Sequence, residues 1–197
     1  MKIIAEGAES QILKLNEETL KKIRHAKTYR LEFIDNKIRK FRNRREFKIL
    51  NKLQELKISA PKPLEITETK KEISFTMEYV KGNSLKKVIN SELLNKAFEE
   101  IIKLHNSDIV HGDLTTLNII EKNNEIYLID FGLSEFSSRP EEKGVDLNLF
   151  FTCIKNEHPN FFTEKNNLLK TYKKKANDGD KIIEKLKQIE LRGRNKK

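Results

Sequence analysis

The sequence predicts an α+β fold in two parts, a small strand-rich part built around one main helix and a second part that is mostly helical. Three observations carry this reading. Short apolar or alternating runs separated by polar turns fill most of the first 80 residues. One long amphipathic pattern interrupts them at about residues 31–56. After a break at "KGNS" (Lys81–Ser84), apolar residues recur at helical spacing almost to the end of the chain.

The elements follow in order. "MKIIAEGAESQILKL" reads as strand, turn, strand, with Gly7 in the turn, and "TLKKIRH" (Thr19–His25) as a third strand after the polar turn Asn16–Glu18. The helix of Leu31–Leu56 is expected to bury a stripe of Ile34, Ile38 and Phe41, continued by Leu50 and Leu53, and to stop at "APKP" (Ala60–Pro63). "LEIT" and "EISFTMEYV" (Glu72–Val80) read as two strands joined by "ETKK". The break near Lys81 divides one domain into a first lobe at 1–80, a second at 81–190 and a basic tail at 191–197. In the second lobe, Ser84–Ile89 and Glu92–Asn106 read as helices and Ile109–Ile129 as loop with short strands. From Val145 the pattern is helical, with breaks at Pro159 and Asn177–Gly179.

Composition narrows the function class. Of the 197 residues 37% are apolar and 36% charged, with a net charge of +10 and a mean hydropathy of −0.68. That permits a core but demands a surface dense in Lys and Glu. The excess charge gathers in "KIRKFRNRREFK" (Lys37–Lys48), "YKKKA" (Tyr172–Ala176) and the closing "LRGRNKK". Such clusters suit a polyanion partner or a solvated basic surface. The one cysteine, Cys153, sits in "LFFTCI" and is expected to be a buried, inert thiol. No zinc pattern, membrane span or signal-peptide core is visible, so a cytoplasmic location without membrane contact is expected.

The chemistry concentrates in "IVHGDLTTLNII" (Ile109–Ile120) and "DFG" (Asp130–Gly132). Singly, Asp113 and Asn118 would be turn residues and Asp130 the end of a strand. With His111, Phe131 and Gly132 they make six specified positions. At roughly one in twenty each, chance agreement is on the order of 10⁻⁸ per starting point. The spacing also has a mechanism. Phosphoryl transfer needs a carboxylate to accept the attacking hydroxyl's proton, and an amide and a second carboxylate to hold Mg²⁺ on the phosphates. Asp113, Asn118 and Asp130 offer those groups, and Mg²⁺ needs few protein ligands because water and phosphate complete its octahedron.

These motifs resemble the protein-kinase superfamily, which implies a minimal bilobal protein-kinase-like fold. A kinase also needs a strand Lys on the phosphates and a helix Glu to hold it. Lys22 is the candidate, since Leu20 and Arg24 share its face of the strand while Lys21 points away. Glu46 lies at i, i+4, i+7 with Leu50 and Leu53, so it faces inward and needs a partner such as Lys22. The competing partner is Arg42 on its own helix. Asp113, Lys22 and Glu46 are thus the expected catalytic set. The resemblance places ATP contacts at Gly7, Ala8, Glu9 and Ser10, at Lys22, and at Met77, Glu78 and Val80. "EGAES" (Glu6–Ser10) departs from the kinase pattern in holding one glycine of three. His111 and Asp146 are expected as supports, Asp146 resembling the helix Asp that buttresses the kinase catalytic loop. The alternative for Asp146 is an acid at a helix N-terminus.

Gly112 in place of the usual arginine, "RPEEKGVDL" soon after the DFG, "KTYR" (Lys27–Arg30) and the basic end narrow the resemblance. They are similar to the Bud-type small atypical kinase/ATPase subunits of the KEOPS (EKC) complex, the p53-related protein kinase family. That resemblance implies Ser/Thr kinase-type or ATPase activity with ATP and Mg²⁺, or Mn²⁺ in its place. It implies work beside a Kae-type threonylcarbamoyl-transfer subunit on tRNA position 37. It also implies a Cgi-type subunit on the small lobe and a Pcc-type subunit that dimerises the assembly. Arg192, Arg194, Lys196 and Lys197 are then expected tRNA phosphate contacts. Only Leu133–Lys143 separates DFG from Gly144, with no A-P-E motif, so neither a peptide platform nor a phosphorylation switch is expected. Two other classes stay open: a RIO-like or small-molecule phosphotransferase, and a module that binds ATP without turning it over.

Overall fold

A computed structural model describes residues 2–7, 9–69 and 71–194. The chain divides into two compact units, Met1–Lys81 and Gly82–Lys197.

The first unit is an antiparallel five-stranded sheet in the order β1-β2-β3-β5-β4. Its strands are β1 (Lys2–Glu6), β2 (Ser10–Lys14), β3 (Thr19–Arg24), β4 (Pro63–Glu68) and β5 (Ile73–Glu78). β3 alternates as its sequence suggests: Leu20, Lys22 and Arg24 are buried while Thr19, Lys21 and Ile23 are not. Helix α1 (Glu32–Glu55) packs against β4 and β5. Ile49, Leu50 and Leu53 of α1 and Ile73, Phe75 and Met77 of β5 are buried, and Phe47 stands edge-on to Phe75.

The first half of α1 corrects the expected stripe. Ile34 and Phe41 are exposed, as are Tyr29, Leu31 and Phe33, the last to 80%. The inward residues are Asp35, Asn43 and Glu46. Each has a partner: Asp35 in Arg39 at 2.7 Å, Asn43 by donating to the Ser74 carbonyl at 3.0 Å, and Glu46 in Lys22 and Arg24, while Asp35 Oδ1 and Asn43 Oδ1 accept no hydrogen bond. Periodicity reports which face is apolar, and here a partnered polar face turned inward instead.

The second unit begins with β6 (Asn83–Ser84) and the short helix α2 (Leu85–Val88). Helix α3 (Ser91–Asn106) starts where the Asn90 side chain accepts from Leu93 N at 2.8 Å. Then come β7 (Ile109–Val110), a 3-10 turn (Thr116–Asn118), β8 (Ile119–Lys122), β9 (Glu125–Leu128) and β10 (Glu135–Phe136). β6, β8 and β9 form one antiparallel sheet, and β10 pairs with β7. Helices α4 (Pro140–Glu157), α5 (Lys165–Lys175) and α6 (Gly179–Arg194) complete the unit, with a 3-10 segment (Pro159–Glu164) between the first two. The core gathers Phe98, Phe150, Phe151 and Tyr172, whose rings lie 5.7–5.9 Å from that of Phe98.

Two boundaries differ from expectation. α4 starts at Pro140, five residues before Val145. Proline at the first helical position loses nothing by lacking an N–H, and Glu141 and Glu142 favour the positive helix start. α6 runs through Arg194, so residues 191–194 are helix rather than tail. Among the described residues, no helix is long and apolar enough to cross a membrane.

Candidate active site

In the second unit the site is built around a backbone turn held by a buried carboxylate. Asp146 is 2% exposed in the second turn of α4. Its Oδ2 accepts from His111 N at 2.5 Å and its Oδ1 from Gly112 N at 2.9 Å. Asp146 thus lies six residues past the helix start and accepts from the backbone of another segment, unlike the alternative of an acid at a helix N-terminus. Burial alone would raise this carboxyl, but hydrogen bonding from His105 and the neighbouring histidines hold it below its ordinary 3.8. His105 Nε2 lies 3.3 Å from Asp146 Oδ2, and Tyr172 Oη lies 2.6 Å from His105 Nδ1. With Nε2–H donating to the carboxylate, Nδ1 accepts from the phenol. Burial, then the Asp146 charge, pushes the Tyr172 hydroxyl well above its usual range, so it remains a donor.

Gly112 explains why no arginine stands there. Its φ is +79°, and a Cβ would sit 2.5 Å from the Leu133 carbonyl oxygen. The residue between His111 and Asp113 must pass the turn after DFG at backbone distance, which only glycine allows.

His111 is fully buried. Its Nε2 lies 3.0 Å from the Ile129 carbonyl, an acceptor, so Nε2 carries the proton. Nδ1 then accepts from Asp113 N at 3.3 Å. Burial pushes this imidazole below its ordinary 6.5, in keeping with that neutral tautomer. Its ring packs on Phe131 of the DFG at 4.7 Å. Asn118 ends the 3-10 turn. Its amide nitrogen donates to the Asp113 carbonyl at 2.8 Å and to Asp113 Oδ2 at 2.9 Å. Both amide hydrogens are thereby engaged on Asp113, and the amide oxygen is the atom with lone pairs to offer a cation. Asp130 takes a left-handed φ of +59° and accepts from Gly132 N at 3.4 Å. These are hard oxygen donors, the chemistry Mg²⁺ takes. Among the described residues, no cluster of three His, Cys, Asp or Glu forms a metal cage, so such an ion would rely on Asn118, Asp130 and its substrate's oxygens.

After Gly132 the chain is pinned. β10 pairs with β7, Ser137 N donates to the Asp108 carbonyl at 2.7 Å, and buried Lys143 Nζ reaches Asp108 Oδ1 at 2.7 Å.

The first unit supplies a separate constellation. Lys22 Nζ lies 2.7 Å from Glu46 Oε1, and Arg24 Nη2 lies 2.5 Å from Glu46 Oε2, all three being buried. Glu46 is thus shared between two strand cations and does not pair with Arg42. Arg42 pairs instead with Glu9 of the β1–β2 loop, which Arg30 also approaches at 3.4 Å. Gly7 N donates to the Ser10 carbonyl at 2.8 Å, closing that loop. A Cβ at Gly7 would meet that oxygen at an ordinary 3.6 Å, so nothing there demands glycine. Ala8 lies outside the described residues. Met77 and Val80 are buried, and Glu78 Oε2 accepts from Lys62 N at 3.4 Å.

Of the other predicted positions, Arg192 is exposed on α6 and lies 3.2 Å from Glu141. Arg194 closes α6, its side chain outside the description, as are Lys196 and Lys197 altogether. Lys37–Lys48 lies along α1, and Lys173–Lys175 ends α5. Cys153 is half-buried, and burial raises its thiol above the ordinary range, consistent with inertness. Sequence reading missed Arg24 as a partner of Glu46, and His105 and Tyr172 beneath Asp146. Arg24 had a signal, two residues after Lys22 on the same strand face. Tyr172 had none, since its contact spans 67 residues.

Comparison with known proteins now bears on this geometry. The RIO domain family matches residues 6–144. The KEOPS complex subunit Bud32 of Pyrococcus abyssi is 37% identical over 213 residues, covering 98% of this chain and 96% of that protein. A probable bifunctional tRNA threonylcarbamoyladenosine biosynthesis protein of Methanobrevibacter smithii is also 37% identical, over 98% of this chain, but the chain spans only 36% of it. Among solved structures, the Rio2 kinase of Chaetomium thermophilum, in a complex with ADP/Mg²⁺ and phosphoaspartate, superposes with a TM-score of 0.63. That match is 16% identical and covers 79% of this chain and 54% of the other. It shares the fold, which is protein-kinase-like. The chain belongs to the RIO-domain family and, with its Pyrococcus abyssi relative, to the Bud32 group.

Proposed function

We propose that this protein is a Mg²⁺–ATP-dependent atypical Ser/Thr kinase or ATPase that serves threonylcarbamoyl modification of tRNA within a KEOPS assembly. The observation that carries the chemistry is the Asp113–Asn118 pair. One carboxylate is oriented by the same amide whose oxygen is left to a cation.

In this reading Asp113 accepts the proton of the attacking hydroxyl or water. The oxygen–phosphorus bond to the acceptor forms as the bond between the γ-phosphorus and its bridging oxygen breaks, and the pair on that oxygen leaves with ADP. Lys22, held by Glu46, offers its ammonium to the phosphates. Gly7 to Ser10 offer backbone N–H groups, and Met77, Glu78 and Val80 line the adenine side. Asn118 and Asp130 would hold Mg²⁺, or Mn²⁺, whose charge would offset that of the phosphates. His111 and Asp146 hold the catalytic backbone without touching substrate. That β10 and Lys143 fix the segment after DFG supports a reading in which this segment needs no phosphate to order it.

The names of the Pyrococcus abyssi and Methanobrevibacter smithii relatives support the assembly and the tRNA product. The exposed apolar face at Tyr29, Leu31, Phe33, Ile34 and Phe41 supports a protein contact on the first unit, where we place the Cgi-type subunit. A Kae-type subunit supplies the transfer chemistry, and the basic runs and Arg192, Arg194, Lys196 and Lys197 meet tRNA phosphates.

The test is ATP hydrolysis by the chain with Mg²⁺, alone and with Kae-type partner and tRNA, with Asp113→Ala as control. Turnover that rises with both additions and is lost in the variant is the expected result. Binding without turnover under every condition would favour a module that holds ATP structurally, a reading to which the glycine-poor loop points.

A further inference from the structure

Thr116 opens the 3-10 turn that ends at Asn118 and is completely buried. Its hydroxyl donates to Glu157 Oε2. Glu157 is the last residue of α4, and its other oxygen accepts from Lys86 Nζ of α2 at 2.7 Å. One turn earlier on the same helix, the Cys153 thiol lies against the Thr116 backbone. The turn is therefore gripped by a side chain and by a helix face, while Lys86 fixes the carboxylate that does the gripping. None of these residues has a role in the chemistry above.

A hydroxyl donating to a charged acceptor is a directional, charge-assisted anchor, whereas apolar packing alone does not fix the orientation of the turn. The anchor stands two residues from the amide proposed to hold the cation. A small rotation of this turn would swing Asn118 off Asp113 and misdirect its oxygen.

We propose that Glu157 is a positioning residue that acts through Thr116 on Asn118, setting the affinity of the site for its divalent cation. The proposal rests on the Mg²⁺–ATP reading. Supports of this kind commonly tune metal affinity by about 10- to 100-fold.

Three variants of the full chain test it. Thr116→Val removes the hydroxyl at nearly constant shape, Thr116→Ser keeps it, and Glu157→Gln keeps the shape of the acceptor without its charge. The measurements are Mg²⁺ titrations, first of fluorescent ATP-analogue binding and then of turnover. Thr116→Val is expected to raise the half-saturating Mg²⁺ concentration about tenfold, with turnover at saturating metal within about threefold of the parent. Thr116→Ser should stay within about twofold of the parent and Glu157→Gln should fall between. Equal losses in the Val and Ser variants, or lowered turnover with unchanged metal dependence, would overturn the proposal. If Thr116→Val does not fold, Glu157→Gln decides, an unchanged metal dependence then counting against it. Retained turnover in Asp113→Ala would sink the phosphotransfer reading instead, and the binding titration would still decide the role of Glu157.

Discussion

The turn at Gly112 and the loop at Gly7 each carry a motif glycine, yet they are held by different physics. At Gly112 the backbone is left-handed, passes Leu133 too closely for a side chain, and gives its N–H to a buried carboxylate. At Gly7 none of that holds, and the loop is tied down by Glu9 reaching Arg42 and Arg30, all partly exposed. A glycine in a motif is thus informative only when its φ and its neighbours are known. One region is fixed by a close backbone approach and a buried carboxylate, the other by ion pairs that salt and competitors loosen.

The largest effects should come from the buried charges. Asp146→Ala leaves two backbone N–H groups and His105 without an acceptor and should cost about 3–5 kcal/mol in urea unfolding. Glu46→Gln should cost a similar amount, because it leaves Lys22 and Arg24 buried without that counter-charge. Lys22→Met should cost less than Glu46→Gln, since Arg24 still meets the carboxylate. The reverse order would break the account of a shared Glu46.

Next comes Gly112→Ala. Strain at positive φ together with the 2.5 Å approach should destabilise by about 2–3 kcal/mol. Gly7→Ala should change the same midpoint by less than about 0.5 kcal/mol. Equal effects at the two glycines would erase the contrast drawn above.

The pH dependence sharpens it further. The folded chain holds His111 neutral, below its ordinary 6.5, whereas the unfolded chain protonates it near that value. Its contribution is therefore whole above pH 6.5 and is lost as the pH falls through the lowered folded value. Urea midpoints at pH 8 and pH 5 should separate more in the parent than in His111→Gln, with a slope from this group of at most about 1.4 kcal/mol per pH unit. Asp146 adds a second loss below pH 3.8, where its lowered carboxyl takes up a proton.

Much of this was legible beforehand where local rules govern. Alternation placed Lys22 inward on β3, and the spacing of Asp113, Asn118 and Asp130 selected the groups that the structure gathers into one unit, apart from Lys22 and Glu46. The reading failed where an outcome depends on distant partners. Ile34 and Phe41 looked like core, but the inward face of α1 was already claimed by Asp35, Asn43 and Glu46, whose partners lie on other elements or a turn away. The start of α4 was placed at Val145, where the apolar pattern begins, although Pro140, Glu141 and Glu142 mark a helix start five residues earlier. Gly112 was read as a missing cation, when the backbone of Leu133 is what excludes a side chain.

The pinned stretch after DFG also has a meaning in chain entropy. Asp108, Ile109 and His111 are each joined to a residue beyond the DFG, through Lys143, Phe136 and Asp146, and the first and last of these links each span 35 residues. Closing a loop costs entropy chiefly once, and further ties between neighbouring residues add little to that cost. The three links should therefore form and break together. Residues 108–146 would then open as one cooperative unit, with the amides of the His111–Asn118 turn and of the segment after DFG exchanging their hydrogens at a common rate.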